Sequence, residues 1–159
     1  MPSGGFFSYG ARVKAILTAS VLLLASCSGR GTPDIQISDA WARETVAGQI
    51  GTAGYVTIAN RGTGDDRLIG IFAQAPITAM LHETSTSGGV SSMRPLANGV
   101  AIPAGGTISL KPGGAHVMIS SLTSPLNQGD SLKLTLRFER SGWKPVDFKV
   151  ASAMAGLGH

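Results

Sequence analysis

The sequence predicts an all-β fold, an antiparallel β-sandwich, from its composition, its turn signals and its alternation. Charged residues make up 14% and aromatic residues 6% of the 159 residues, whereas Gly (22) and Pro (8) are abundant, a balance that favours short strands and many turns. No segment has a sustained helical period, and Leu132 to Phe138 alternates strictly between apolar and polar side chains. Parallel pairing would need crossover connections that the chain lacks. The length allows one domain with a hydrophobic core.

The N-terminal residues have the features of an export signal. Arg12 and Lys14 precede an apolar run, Ala15 to Ala25, which is shorter than the roughly 20 residues that cross a bilayer. The run leads into Leu24-Ala25-Ser26-Cys27. That order resembles the lipobox of bacterial lipoproteins, in which the cysteine is lipidated and becomes the first residue of the mature protein. We therefore expect a signal peptide over 1–26 and a lipidated N-terminus with a polar tether over 27–33. The alternative is an ordinary signal peptide that happens to contain a cysteine.

Lipidation of Cys27 would restrict the chemistry of the folded domain. Cys27 is the single cysteine of the chain, so its lipidation leaves no thiol for a disulfide, a thiolate ligand or a nucleophile. Ser28, rather than Asp, follows it, which by resemblance implies anchoring in the outer membrane of a Gram-negative cell, facing the periplasm. Removal of the signal leaves 11 basic and 9 acidic side chains. Since these are scattered, the sequence does not favour nucleic-acid binding.

A single β-sandwich domain is expected over 34–152, followed by a short tail over 153–159. Glycine-rich turns such as Pro103 to Gly106 and Lys111 to Gly114 separate its apolar segments. The predicted strands are Ile35–Arg43, Ala53–Asn60, Arg67–Phe72, Ile77–Glu83, Ser91–Arg94, Thr107–Leu110, His116–Ser120, Leu132–Glu139 and Val146–Ala151. Trp41, in the first of them, is expected to fill the core.

Four candidate metal ligands follow one another as His-x10-Met-x22-His-x-Met: His82, Met93, His116 and Met118. Thioethers select Cu(I) among biological metals, which makes copper the predicted metal. Residues two apart on a strand point to the same face, so His116 and Met118 could chelate one ion, whereas Glu83 should point away from His82. Each residue also has a structural interpretation, because Met fills gaps in cores and His is common on solvated strands. The spacing alone leaves both interpretations open.

The sequence resembles the periplasmic PCu(A)C copper chaperone family over most of the predicted domain, from Ile35 to Val150. The Lys-Pro-Gly-Gly turn followed by His116-Val117-Met118 is the most specific part of the resemblance. The other matching segments are Asp39–Arg43, Gly54–Asn60, Asp65–Gly70, Met93–Pro95 and Ile102–Gly106.

The resemblance implies a cupredoxin-like Greek-key sandwich that binds Cu(I) through His82, Met93, His116 and Met118. It implies a chaperone rather than an enzyme, which transfers copper to a respiratory cytochrome c oxidase directly or through a thiol-bearing Sco-type protein. A blue-copper electron carrier would need a thiolate beside its histidines, and zinc would more often recruit Cys, His or carboxylate.

Two other functions are alternatives to this one. The first is a binding or structural β-sandwich lipoprotein in which the four residues are incidental. The second is a copper redox enzyme with a Cu(II) site, which would require His-rich ligation and an open coordination position. In the tail, Met154 and His159 are candidates for auxiliary copper ligands, because some relatives in the resembled family carry Met- and His-rich extensions.

Overall fold

A computed structural model of the chain describes residues 1, 4, 31–152 and 154. Cys27, His159 and nearly all of the predicted signal peptide lie outside the described residues, so the predictions about them stay predictions. The described domain contains ten strands: β1 (Ile35–Arg43), β2 (Thr52–Asn60), β3 (Asp66–Ala73), β4 (Thr78–Ser87), β5 (Val90–Pro95), β6 (Val100–Ile102), β7 (Thr107–Leu110), β8 (Ala115–Ser120), β9 (Ser131–Phe138) and β10 (Gly142–Ala151).

The predicted all-β class is confirmed, and the strand bounds differ from the sequence prediction in two informative places. β6 has only three residues, too few to show an alternation in the sequence. β10 begins at Gly142 instead of Val146 and includes Pro145, which pairs with Thr135 of β9. β1 joins β10 only from Lys149 onward, so Pro145 lies on an open edge, where a missing backbone donor is tolerated. Among the described residues, no helix has the length and apolarity needed to cross a bilayer.

The strands follow one hydrogen-bonded path in the order β5-β4-β8-β2-β1-β10-β9-β3-β6, with β7 paired to β2. β3 packs against β4 without pairing with it, which brings distant parts of the path together around the core. The antiparallel prediction holds for every described pair except β1 with β10, which run parallel with Trp41 opposite Lys149. These are the first and last strands, so the chain between them supplies the connection that parallel pairing requires.

The core fills the space between the facing strands with aliphatic and aromatic side chains. Leu134, Leu136 and Phe138 on β9 are buried at every second position, as the alternation predicted. β4 contributes Leu81 to the same core, and β8 contributes Val117 and Ile119. This packing matters for function because it decides which residues of β4 and β8 point outward.

Asp66, at the start of β3, is a buried carboxylate, 5% exposed, that holds a strand end and a turn together. It accepts hydrogen bonds from the backbone amides of Arg67 and Arg140 at 2.8 and 2.9 Å and from that of Ser141 at 3.0 Å. Burial by itself raises the pKa of Asp66, but the hydrogen bonds from Ser141, Arg140 and Arg67 outweigh it and hold the pKa below its ordinary value.

We predict that Asp66→Asn lowers the free energy of unfolding at neutral pH by about 1–3 kcal/mol. The substitution replaces one carboxylate oxygen, an acceptor, with an amide NH2 group, which cannot accept a hydrogen bond from the backbone N–H groups around it. A lowered carboxylate pKa stabilises the fold above the unfolded-state value near 3.8, and this contribution is lost as the pH falls through the folded-state pKa. The difference between parent and variant in chemical denaturation should therefore shrink below about pH 4. The exposed Asp147→Asn is the control; a difference that does not change with pH would contradict the prediction.

Candidate metal centre

The antiparallel pairing of β4 with β8 places His82 directly opposite His116. Their ring centroids are 6.2 Å apart and the rings are tilted by 52°. Side chains alternate along a strand, so the residues between the core positions point to the opposite face. That face of β4 and β8, here called the outer face, carries His82, His116 and Met118. The two histidines, 34 positions apart in the numbering, are therefore adjacent in space.

His116 is almost fully buried, at 4% exposure, and its orientation is fixed by the turn before it. Its Nδ1 lies 3.0 Å from the carbonyl oxygen of Gly114. A carbonyl only accepts, so the neutral imidazole carries its proton on Nδ1 and leaves the lone pair on Nε2. The same Gly114 oxygen accepts the backbone amide of Thr84 at 3.1 Å. Metal-binding histidines commonly have such a backbone partner on the second nitrogen.

His82 provides the observation that best fits a metal ligand. Its Nδ1 is buried and has no hydrogen-bond partner among the described residues. Buried polar atoms are nearly always paired, and a histidine nitrogen without a partner costs free energy unless something binds it. A metal ion bound to the neutral imidazole of His82, which faces a second imidazole, would supply this missing interaction.

The two predicted thioethers lie on the same outer face, on either side of the histidine pair. Met118 follows His116 by two residues on β8 and pairs with Ala53 of β2. Met93 lies on the edge strand β5 opposite Thr84, two positions beyond His82, and it is 55% exposed. The fold therefore places all four sequence-predicted ligands, His82, Met93, His116 and Met118, on one face of three neighbouring strands. The centre is asymmetric, with a buried histidine on β8 and an exposed methionine on β5.

Glu83 is occupied by another interaction. Its Oε2 accepts from Arg94 Nη2 at 2.7 Å and from Nε at 3.2 Å, in a cross-strand pair on the face opposite to His82. This agrees with the alternation predicted from sequence. Among the described residues, no group of three or more His, Cys, Asp or Glu side chains is arranged to hold a metal ion.

Trp41 was expected in the core, and that expectation is wrong. It is half-buried and packs against Tyr55, with ring centroids 4.5 Å apart and the rings tilted by 41°. Gly54 pairs with Val117 and points to the core, so the neighbouring Tyr55 lies on the outer face. Burial raises the pKa of Tyr55, and the nearby Arg43 guanidinium partly offsets this. These aromatic side chains extend the outer face across β1 and β2.

Sequence reasoning also missed Met80. It lies on β4 two residues before His82 and is paired with Met118, so it belongs to the outer face. The Met-x-His spacing could have indicated this, because it is the reverse of His116-x-Met118. Met154, by contrast, is 73% exposed and follows β10, which is separated from β4 by β1, β2 and β8 in the strand order.

Several solved structures are similar to this chain. The copper-bound PCuAC domain of PmoF2 matches with a TM-score of 0.60 at 23% identity, over 74% of this chain and 92% of that one. The apo PCuAC domain of PmoF1 matches with a TM-score of 0.61 at 24% identity, over 74% and 93%. The Cu(I)-bound DR1885 of Deinococcus radiodurans matches with a TM-score of 0.55 at 26% identity, over 82% and 85%. The fold is therefore that of PCuAC domains.

Two curated relatives and one family profile complete the comparison. Lxx21020 of Leifsonia xyli subsp. xyli, named as a lipoprotein, is 33% identical over 145 residues, which cover 84% of this chain and 86% of that protein. RP573 of Rickettsia prowazekii is 30% identical over 115 residues, which cover 70% and 64%. The profile of the LpqE-like lipoproteins matches residues 35–150, the same region in which the sequence resembles PCu(A)C proteins. The chain therefore belongs to the LpqE-like family.

Proposed function

We propose that this protein is a copper chaperone of the cell envelope that binds Cu(I) through His82, Met93, His116 and Met118. The observation that carries the proposal is the histidine pair across β4 and β8, with rings 6.2 Å apart and a buried His82 nitrogen that has no described partner. The predicted thioethers flank this pair on the same face. Support also comes from the Cu(I)-bound DR1885, which has the same fold at 26% identity.

The chemistry of the four ligands suits reversible binding of a monovalent soft metal. Two thioethers and two imidazoles are neutral, so bound Cu(I) keeps its single positive charge, and no proton has to leave a thiol. The set lacks a thiolate, the strongest soft ligand available to proteins. A partner that offers thiolates would therefore gain the metal by ligand exchange.

The exposure of the ligands indicates how such an exchange would begin. His116 is buried and held by Gly114, whereas Met93 is 55% exposed on an edge strand whose one partner among the described strands is β4. An incoming ligand can replace an exposed thioether without disturbing the core. We propose that copper leaves from the β5 side and that the protein performs no catalytic step. The recipient is a cytochrome c oxidase copper centre or a Sco-type thiol protein, as the family resemblance implies.

A Cu(I) titration against a competing chelator tests the binding site. We expect His82→Ala, His116→Ala and Met118→Leu each to weaken Cu(I) binding at least about tenfold, or about 1.4 kcal/mol, because each removes a ligand from the set. Met154→Leu is the matched control for loss of a thioether and should bind as the parent does. If all variants bind copper as the parent does, His82, His116 and Met118 are incidental and the non-catalytic binding or structural lipoprotein becomes the better description.

The envelope location is tested through Cys27. We propose that a lipid on Cys27 anchors the mature protein to the periplasmic side of the outer membrane, in line with the lipoprotein name of the Leifsonia relative. Cys27→Ser should release the protein from the membrane fraction or leave an unprocessed precursor, as measured by fractionation and intact mass. Ser28→Ala retains the cysteine and should remain bound to the membrane. Unchanged fractionation of Cys27→Ser would contradict lipid anchoring.

Transfer is tested with a reduced Sco-type protein as acceptor. After the Cu(I)-loaded chain is mixed with an equal amount of acceptor and the two are separated, we expect most of the copper on the acceptor, because thiolates bind Cu(I) more strongly than thioethers. An acceptor whose ligand cysteines are replaced by serine should leave copper on the chaperone. Copper that stays on the chaperone with both acceptors would contradict this choice of recipient.

A further inference from the structure

We propose that Met80 is a fifth soft ligand of the copper centre, which alternates with Met93 for one coordination position. The centre would then consist of two overlapping sites that share His82, His116 and Met118. One site is completed by Met93 on the β5 side and the other by Met80 on the side of β3. This inference rests on the proposed function, and the experiment below separates the failure of one from the failure of the other.

The strand register places Met80 within reach of the metal. Met80 and Met118 are directly opposite each other in the β4–β8 ladder, so their Cβ atoms are about 4.5–5.5 Å apart. Met80 is also two residues before His82 and shares its face. The pairs Met80–Met118 and His82–His116 therefore form a two-by-two array of thioethers and imidazoles on two paired strands.

The packing of β4 gives Met80 no structural role in the core. Its neighbours Ala79 and Leu81 point inward and pack in or against the core, while Met80 is 55% exposed. It borders a shallow apolar groove between β3 and β4, with Phe72 and Pro95 among the lining residues. A flexible thioether at the surface beside two histidines is available to a soft metal without any change of backbone.

Met80 and Met93 lie on opposite sides of His82 along β4. Met80 precedes His82 by two residues, and Met93 is opposite Thr84, which follows His82 by two. Cu(I) favours low coordination numbers, so both thioethers would compete for one position once the three shared ligands are bound. Exchange replaces one neutral thioether by another: one Cu–S bond forms, one breaks, and the charge and oxidation state of the metal stay the same.

Alternation between Met80 and Met93 would keep the copper bound while an acceptor displaces Met93. If Met93 leaves the metal, Met80 can restore the fourth bond from the array on β4 and β8. A single loss of either thioether is then compensated, and only the loss of both should leave the metal with one sulfur ligand, that of Met118. This redundancy distinguishes the proposal from a fixed set of four ligands.

The test uses the full chain, purified in mild detergent and loaded with Cu(I), as parent, Met80→Leu, Met93→Leu and the double variant Met80→Leu/Met93→Leu. X-ray absorption at the copper edge counts the sulfur ligands, and chelator competition measures affinity. We expect two sulfur ligands in the parent and in both single variants but one in the double variant. Affinity should fall by less than about tenfold in the single variants and by more than the product of their effects in the double variant. Far-UV circular dichroism verifies that each variant is folded.

Met93→Leu/Met154→Leu is the matched double control, and it should behave like Met93→Leu alone. If Met93→Leu already falls to one sulfur ligand and adding Met80→Leu changes nothing further, the inference is wrong while the chaperone proposal stands. If the parent binds no Cu(I), or binds it without sulfur or imidazole ligands, the proposed function itself fails. Methyl NMR signals of the methionines offer a second readout, since the Met80 signal should shift on copper addition to Met93→Leu only if Met80 coordinates the metal.

Discussion

The register between β4 and β8 is the constraint on which the candidate centre depends. The register is fixed by the core, because Leu81, Val117 and Ile119 must all point inward. A slip of one residue in either strand would exchange its two faces and expose these side chains to water. In the register that the core adopts, His82 lies opposite His116. The hydrophobic effect therefore sets the geometry of a polar site that contributes little to the core itself.

The Gly114 carbonyl oxygen connects this register to the chemistry of the site. It accepts from the Thr84 amide on β4 and from His116 Nδ1 on β8, so one atom fixes the strand spacing and the histidine tautomer together. The preceding Gly113 has a φ of 78°, a left-handed conformation that glycine adopts without the steric cost of a side chain. The Lys-Pro-Gly-Gly turn is therefore part of the site, since it presents this carbonyl to the imidazole.

The fold class and the shared face of His116 and Met118 could be predicted from the sequence because both follow from the period-two geometry of a strand. The cross-strand pairing of His82 with His116 could not, since register between distant strands depends on how the whole core packs. The parallel pairing of β1 with β10 was missed for the same reason. Trp41 was misplaced because a large aromatic on a strand can cover either face, and here it packs against Tyr55, its cross-strand partner on β2.

The difference in burial between the proposed ligands suits the proposed transfer better than storage. A ligand that is buried and hydrogen-bonded, as His116 is, loses little conformational entropy when it binds a metal, so it contributes affinity. An exposed methionine on an edge strand must be ordered for each binding event, and its bond is correspondingly easier to replace. In the proposed centre, affinity and exchange are thus assigned to different strands: β8 would retain the metal, while β5 would offer the bond that an acceptor breaks first. A centre with four buried ligands would bind copper more tightly, but an acceptor could reach it only after part of the sandwich had opened.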